Sequence, residues 1–395
     1  MISTRHCRTL TSRILRVSHR TYHELSFLQT GDPSEVLQHY SSENQTHQEE
    51  PDQKEGDFVR VHMLAAPWNP ADMNVIQGKY PSPVKNPPAQ PPSWQGPGWR
   101  VAGSEGWGRV MESSTNCNID PGTLVTLGQS GMGTFRSSLW LPTQAVIPVD
   151  RGEELEDTLG SAMASSIFQL GGTALRMLQD FESLGGHSGV VVQNAGNSAV
   201  GWMVSQLAAT QNVKVVSLVR RGSKTEDEYN EMVDALTQQS TNTTRVIAQD
   251  DLLNDKGALK ALQAELGTQA PRLAINATGG DSATLLLKLL APGGTMVTYG
   301  GLSMQPVTVA TPMLIFKDVK VRGYWHSRWM LQSFPQQRKK MVDELAGLVL
   351  DKGVQCPPIE IFSLDRFQDA FQFETEQSAQ AVRRKVVFDC QEEAQ

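Results

Sequence analysis

The first sign of chemistry is a turn. In GVVVQNAGNSAVGWMVSQLAA, residues 189–209, an apolar run leads through small and polar residues into a second apolar pattern. Val200, Met203, Val204, Leu207 and Ala208 recur at helical spacing, so the segment reads as strand, turn and amphipathic helix. Such a turn cradles a pyrophosphate when small residues stand at three points: one allows the tight turn, one admits the ligand, and one lets helix and strand pack closely. Here the points are Ala195, Ser198 and Gly201, with serine replacing the middle glycine. Asn197 and Ser198 can add side-chain hydrogen bonds to the helix N-terminal amides, which Ala199, Val200 and Gly201 present. The alternative is a plain strand-to-helix turn.

The next apolar run, KVVSLVRRGS, ends in Arg220 and Arg221. An acid at this point bonds the ribose hydroxyls of NAD. Arginine instead makes charge-assisted, often bidentate bonds to phosphate, which suits the 2′-phosphate of NADPH. The competing reading is a pair of solvated arginines. Two later strands end in ATGGDS and TYGGLS, and Tyr299, Gly300, Gly301 and Leu302 are placed to line the nicotinamide side.

These residues need a scaffold. From about Ser188 to RGYW, strands and helices alternate, which implies an α/β fold with a doubly wound parallel sheet of Rossmann type. Before it, GWGRVMES, PGTLVTLG and SSLWLPTQAVIPV are short apolar runs between Gly and Pro, the pattern of a small β-rich domain. SAMASSIFQLGGTALRML bridges the two as a helix, and KVVFD closes the chain as a strand that returns to the β-rich domain. Seven prolines between Pro81 and Pro97 exclude helix and central strand there. The stretch Thr30–Gly56 is polar and reads as loop or extended edge.

Composition bounds the rest. The chain has 395 residues and a formal net charge of −7, without a basic stripe to support nucleic-acid binding. No apolar run reaches membrane-spanning length. Cys7, Cys117, Cys356 and Cys390 are too scattered for a disulfide framework or a structural zinc site. The first twenty-three residues hold five arginines and no acid, the composition of a mitochondrial transit peptide. The expected domains are a leader at 1–23, a β-rich domain at 24–165, a cofactor domain at 166–340 and a return segment at 341–395.

The segments AAPWNPADMNVIQGKYP, GSEGWGRV, QNAGNSAVG, GGTMVTYGG and LIFKDVKVRGYWHSRW, in this order, resemble the medium-chain dehydrogenase/reductase superfamily. Within it they are most similar to the mitochondrial trans-2-enoyl-thioester reductases. The resemblance runs from about Asp57 to the closing strand. It implies a GroES-like catalytic domain, a Rossmann domain and a homodimer. It also implies NADPH-dependent reduction of an enoyl-CoA or enoyl-acyl carrier protein, the last step of type II fatty acid synthesis in the mitochondrial matrix. Tyr80 falls at the family's catalytic tyrosine. A phenol, with its reference pKa of about 10, keeps its proton at neutral pH and can stabilise an enolate. Tyr324 and Trp325 fall beside the cofactor, Trp325 also beside the substrate, with packing at the domain junction as the alternative. Asn69 either orients this loop or the nicotinamide amide, or simply makes an Asn–Pro turn. Lys385 matches a lysine that reaches the cofactor phosphates. Arg328, Arg338, Lys339 and Lys340 are candidates for phosphates of the substrate's pantetheine arm. Zinc-dependent members carry a histidine where this chain has Ser104, so no metal site is expected. Leu170 stands where the family commonly has Asn. A quinone or enone reductase on the same fold and a non-catalytic scaffold are the rival readings.

Overall fold

The structure, a computed structural model, describes residues 21–43, 56–80, 98–185, 189–238, 244–377 and 383–391. Most of the expected leader and the Pro-rich segment from Pro81 to Pro97 lie outside the described residues.

The N-terminal unit is built on β1 (Tyr22–Phe27), α1 (Pro33–Val36), β2 (Gln38–Ser42), β3 (Phe58–Pro67), α2 (Pro70–Ile76), β4 (Arg100–Val101), β5 (Trp107–Ser113), β6 (Leu124–Leu127), β7 (Ser138–Pro142) and β8 (Val146–Pro148). Val59, Val61 and Met63 alternate inward from β3, as the period-two pattern requires. Strand β3 also carries β7 and leads, over a break at Pro67 and Pro70, into α2. A long helix, α3 (Gly152–Asp180), bends at Gly160, whose φ is 74°. Its buried residues Ile167, Phe168, Leu175 and Leu178 join the cores of both units.

The second unit runs β9 (Val190–Asn194), α4 (Ala199–Thr210), β10 (Lys214–Val219), α5 (Glu226–Gln238), β11 (Thr244–Ala248), α6 (Gln249–Asn254), α7 (Lys256–Leu266), β12 (Leu273–Asn276), α8 (Gly280–Leu289), β13 (Thr295–Thr298), α9 (Thr311–Ile315) and β14 (Lys320–Gly323). Its six strands lie in the order β11-β10-β9-β12-β13-β14, all pairs parallel. The winding reverses between β9 and β12, and a crevice opens there at the strands' carboxyl ends.

The chain then forms α10 (His326–Gln332), α11 (Pro335–Lys352), β15 (Ile359–Ser363), α12 (Phe367–Glu376) and β16 (Lys385–Asp389). Strands β15 and β16 extend the first unit's sheet in the order β15-β16-β3-β5-β6-β8. The cofactor unit is therefore inserted between parts of the β-rich one.

Three expected boundaries shift for physical reasons. Tyr22 and His23 belong to β1 and pair with β2, so a break after residue 23 would cut a strand. Helix α3 packs on both units, so 165 is not a boundary. Helix α11 continues past residue 340, with Met341, Val342, Leu345 and Val349 in the cofactor unit's core; the return begins only after Lys352. The stretch 30–56 supplies α1 and β2 as well as loop.

The β9–α4 turn shows why glycine is needed at one point. A Cβ on Gly201 would come within 2.6 Å of the Ala195 carbonyl oxygen and 2.8 Å of that of Gly196. We expect Gly201→Val to cost about 1–3 kcal/mol through overpacking, with NADPH binding lost as the turn opens; chemical denaturation and fluorescence titration check the two effects.

Candidate active site

Tyr80 is placed by the end of α2. Pro70 opens that helix and Asp72, three residues after Asn69, accepts the Asn69 N–H at 2.9 Å, half of a capping box. Beyond it, the N–H groups of Lys79 and Tyr80 both donate to the Asn74 carbonyl, at 2.8 and 3.1 Å. Gly78, at φ 70°, makes the reversal. Trp325 arrives from the other unit, between β14 and α10. Its Nε1–H donates to the Tyr80 hydroxyl at 2.6 Å, with the rings edge to face. An indole has one donor and no acceptor. The phenol oxygen therefore accepts from Trp325 and keeps its own O–H for another acceptor.

Behind Tyr80 lies a buried polar cluster. The Asn69 side chain donates to Glu105 Oε2 at 3.0 Å and to the Pro67 carbonyl at 3.3 Å. Its Oδ1 accepts from Lys385 Nζ at 2.8 Å. Lys385 also donates to the Trp68 carbonyl. Glu105 Oε1 accepts the Gln169 N–H of α3 at 3.0 Å. Burial pushes Glu105 up to about 7, with Asn69, Lys385 and the Gln169 N–H drawing it down. Burial likewise pushes Asp72 up to about 6, against the Ser104 hydroxyl, the Asn69 N–H and Lys385. Burial lowers Lys385, and Glu105 and Asp72 oppose that shift.

Two expected roles change here. Both ends of the Asn69 amide are committed inside the cluster and only 3% of the residue is exposed, so it has nothing left for substrate. Lys385 is buried beside Asn69 and does not line the phosphate groove, because its ammonium is drawn to oxygens at the start of α2.

A groove of about 300 Å³ brings Ala195, Asn197 and Ser198 of the turn together with Arg220, Arg221 and Leu302. Ala195 has φ 49° and takes the tight-turn conformation that glycine adopts more cheaply. Ser198 caps α4, its Oγ accepting the Gly201 N–H at 3.1 Å. Ala199 and Val200 pack their side chains on the core below and do not line the groove. A Cβ on Gly196 would meet the Ser217 side chain at 2.6 Å, so the turn packs tightly on β10 at Gly196, a glycine outside the three points named from the sequence. Arg221 lies over the Tyr229 ring at 4.4 Å, bonds Glu226, and its N–H donates to Asp250 at 2.7 Å. Arg220 is exposed. Sequence reasoning missed Lys224 and Arg383, which line the same groove; the signal was the cationic runs RRGSK and RRK.

The remaining candidates divide. Tyr299 is partly buried against the core beside the turn, and burial pushes its phenol up to about 12. Gly300 packs on β12, where a Cβ would meet the Ala277 carbonyl oxygen at 3.0 Å; Gly301 is open. Tyr324 does not face the groove: its ring is buried in the core, its hydroxyl bonds His326 Nδ1 at 2.8 Å, and it packs against Phe181. Leu170 is likewise core. Arg338 is buried and bonds the Gly128 and Gln144 carbonyls across the domain junction. Lys339 pairs with Asp150 and Asp343. Of the four basic candidates, these two have structural partners.

A β-rich unit carrying a tyrosine and a doubly wound unit carrying a phosphate groove, joined across one cleft, define a two-domain dehydrogenase or reductase of the medium-chain superfamily. A family model described as zinc-binding dehydrogenase matches residues 199–346. A Mus musculus protein named mitochondrial enoyl-acyl-carrier-protein reductase is 34% identical over 93% of this chain and 89% of its own. The chain belongs to the family of mitochondrial enoyl-acyl-carrier-protein reductases. Among solved structures, a complex of Etr1p with NADP and crotonyl-CoA matches with TM-score 0.78 at 23% identity, covering 93% of this chain and 99% of that one. The Etr1p/Etr2p mitochondrial 2-enoyl thioester reductase heterodimer from Candida tropicalis matches with TM-score 0.77 at 24% identity, with the same coverage.

The raised carboxyls make stability depend on pH. Glu105 is raised from 4.5 to about 7 and Asp72 from 3.8 to about 6. Their protonated forms favour the fold, so the contribution is full below the unfolded values and is lost as pH rises through 6 to 7. Glu105→Gln removes one titration at the cost of one acceptor. Its melting temperature should vary less between pH 5 and 8 than that of the parent chain, as calorimetry across that range reads directly.

Proposed function

We propose that the chain is an NADPH-dependent trans-2-enoyl thioester reductase, acting on enoyl-CoA or enoyl-acyl carrier protein and releasing the saturated acyl thioester. The single observation that carries this is the Tyr80 hydroxyl held by Trp325 across the cleft, with its own proton free for a carbonyl. The family's name supports the substrate class, and the cleft supplies the means.

The groove fits NADPH on its own chemistry. Ala195, Asn197 and Ser198 of the turn line it, and Arg220, Arg221, Lys224 and Arg383 offer cations to a 2′-phosphate. When bound, NADPH supplies the hydride that adds to C3 of the substrate. Tyr80 donates a hydrogen bond to the thioester carbonyl and stabilises the charge that moves onto that oxygen. The same phenol, or water held beside it, gives the proton that C2 takes up. Trp325 holds the phenol at the right place, which is the entropic part of the effect.

On this reading the chain works at the last step of type II fatty acid synthesis in the mitochondrial matrix; the relatives' names, which say mitochondrial, and the arginine-rich leader support the mitochondrion. A homodimer fits the exposed edge strand β14, on which Val321 is exposed, and the exposed Leu314, Ile315 and Phe316 of and just after α9.

Two measurements test the reading. Tyr80→Phe should lower kcat for crotonyl-CoA on the order of 100-fold or more, the usual size for a lost oxyanion donor, with NADPH affinity held; parent-like turnover would sink the tyrosine's role. Replacing Arg220 and Arg221 together by Ala should raise KM for NADPH by roughly 10-fold or more, since hydrogen bonds to charged groups are worth about 1.5–3 kcal/mol each. KM for NADH should stay unchanged, and equal losses for both cofactors would refute the 2′-phosphate assignment.

A further inference from the structure

Four separated pieces of chain meet behind Tyr80, and their meeting is polar. Asn69 and Asp72 come from the start of α2, Ser104 and Glu105 from the loop before β5, Gln169 from α3 and Lys385 from β16. Asn69, Asp72, Glu105 and Lys385 are all at least nine-tenths buried. Burying charge is costly unless every partner is supplied. Here the ammonium makes no direct ion pair with either carboxylate. Lys385 bonds Asn69 Oδ1 and the Trp68 carbonyl, and the other end of the same amide bonds Glu105. Asn69 is therefore the relay between the ammonium and the Glu105 carboxyl, and Asp72 fixes its backbone. Removing Lys385 takes a partner from Asn69 Oδ1, and removing Asn69 takes one from both Glu105 and Lys385.

The cluster reaches Tyr80 through α2. Asn69 starts that helix, and the Asn74 carbonyl at its far end anchors the amides of Lys79 and Tyr80. Arg383, two residues before Lys385, lines the phosphate groove, whereas Lys385 is turned inward. We infer that Asn69, Asp72, Glu105 and Lys385 are positioning residues for the reduction, a buried network that sets α2, and through it the Tyr80 hydroxyl, at the point where it meets Trp325. This rests on the enoyl-reductase reading above. The groups that act on Glu105 are Asn69 and Asp72 of α2, Lys385 of β16 and the Gln169 N–H of α3; Ser104 acts on Asp72, and Glu374 of α12 acts on Lys385. The pH dependence of kcat belongs to this set as a whole.

The test compares Lys385→Met, Lys385→Arg and Glu105→Gln in the full chain, each also combined with Tyr80→Phe. Misplacing a catalytic group by an ångström costs on the order of 10- to 100-fold, so Lys385→Met should lower kcat for crotonyl-CoA by that much. NADPH affinity, read by fluorescence, and KM for crotonyl-CoA should move by less than about twofold, the pattern of a lost transition-state interaction. Lys385→Arg should recover part of the loss. Glu105→Gln should shift the pH profile of kcat. In the Tyr80→Phe background the same changes should cost little more, because both act through one group. A roughly 10-fold weaker affinity for NADPH with kcat held would instead make Lys385 a phosphate ligand. Equal losses with and without Tyr80 would leave only a structural role. Either outcome overturns the inference. If Lys385→Met does not fold, Glu105→Gln, which keeps the side chain's shape, carries the same measurements. If the parent chain reduces no enoyl thioester, the reductase reading falls separately. Hydrogen exchange at the Lys79 and Tyr80 amides then decides the network: faster exchange in Glu105→Gln supports it, and unchanged exchange refutes it.

Discussion

A lysine ammonium in a protein interior must find oxygen, and the closing strand of this chain delivers one there. Lys385 sits on β16, beside β3 in the sheet, and is answered by the Trp68 carbonyl and Asn69. That answer ties the C-terminal strand to the first turn of α2. Glu105 ties the same turn to α3, the helix shared by both units. The aromatic shell around Trp68, with Phe135, Phe371 and Phe388 against it, keeps water away and makes each of these bonds count for more. A tyrosine held by such a frame can be aimed, whereas one on a free loop could not.

The second constraint is topological. A doubly wound sheet must change direction once, and the resulting crevice is the one place where neighbouring loops diverge. Both the phosphate turn after β9 and the TYGGLS turn after β13 lie on that side. The chain then passes through β14 and presents Trp325 before α10 begins. One edge of the cofactor unit thus supplies the partner for a phenol carried by the other unit. The cleft closes chemically at Tyr80 and Trp325, and it is held mechanically elsewhere, by Arg338 on the Gly128 and Gln144 carbonyls and by Ser130 against Ser327 at 2.9 Å.

What the sequence made legible was local. A strand, a small-residue turn and a helix lie within twenty residues, and the alternation of burial along β3 is a property of the strand itself. Arg220 and Arg221 line the groove, and their place there follows from the end of β10. Tyr80 needed a resemblance, since nothing near it distinguishes a catalytic phenol from an exposed one. The misreadings were all non-local. Lys385 bonds Asn69 across 316 positions, and no spacing rule spans that distance. Tyr324 and Trp325 are neighbours in sequence, but the backbone turns between them. One ring enters the core against Phe181 and the other reaches the cleft. Arg338 looked like one of a surface run of cations, and tertiary packing at the domain junction buried it.

The network also bears on why the chain keeps so much charge in its interior. Where zinc-dependent members of the superfamily resemble this chain, a histidine stands at the place of Ser104. With serine there, its hydroxyl helps draw the buried Asp72 carboxyl down, and the neighbouring Glu105 bonds Asn69. Replacing such a group by well-packed apolar side chains is often neutral or favourable for stability. Stability alone therefore does not account for two carboxyls and an ammonium behind one tyrosine. Geometry does: hydrogen bonds are directional where apolar contacts are not, and an amide held at both ends permits one orientation of the helix it starts. The interior charge is spent on direction, and the direction it fixes is that of the Tyr80 hydroxyl.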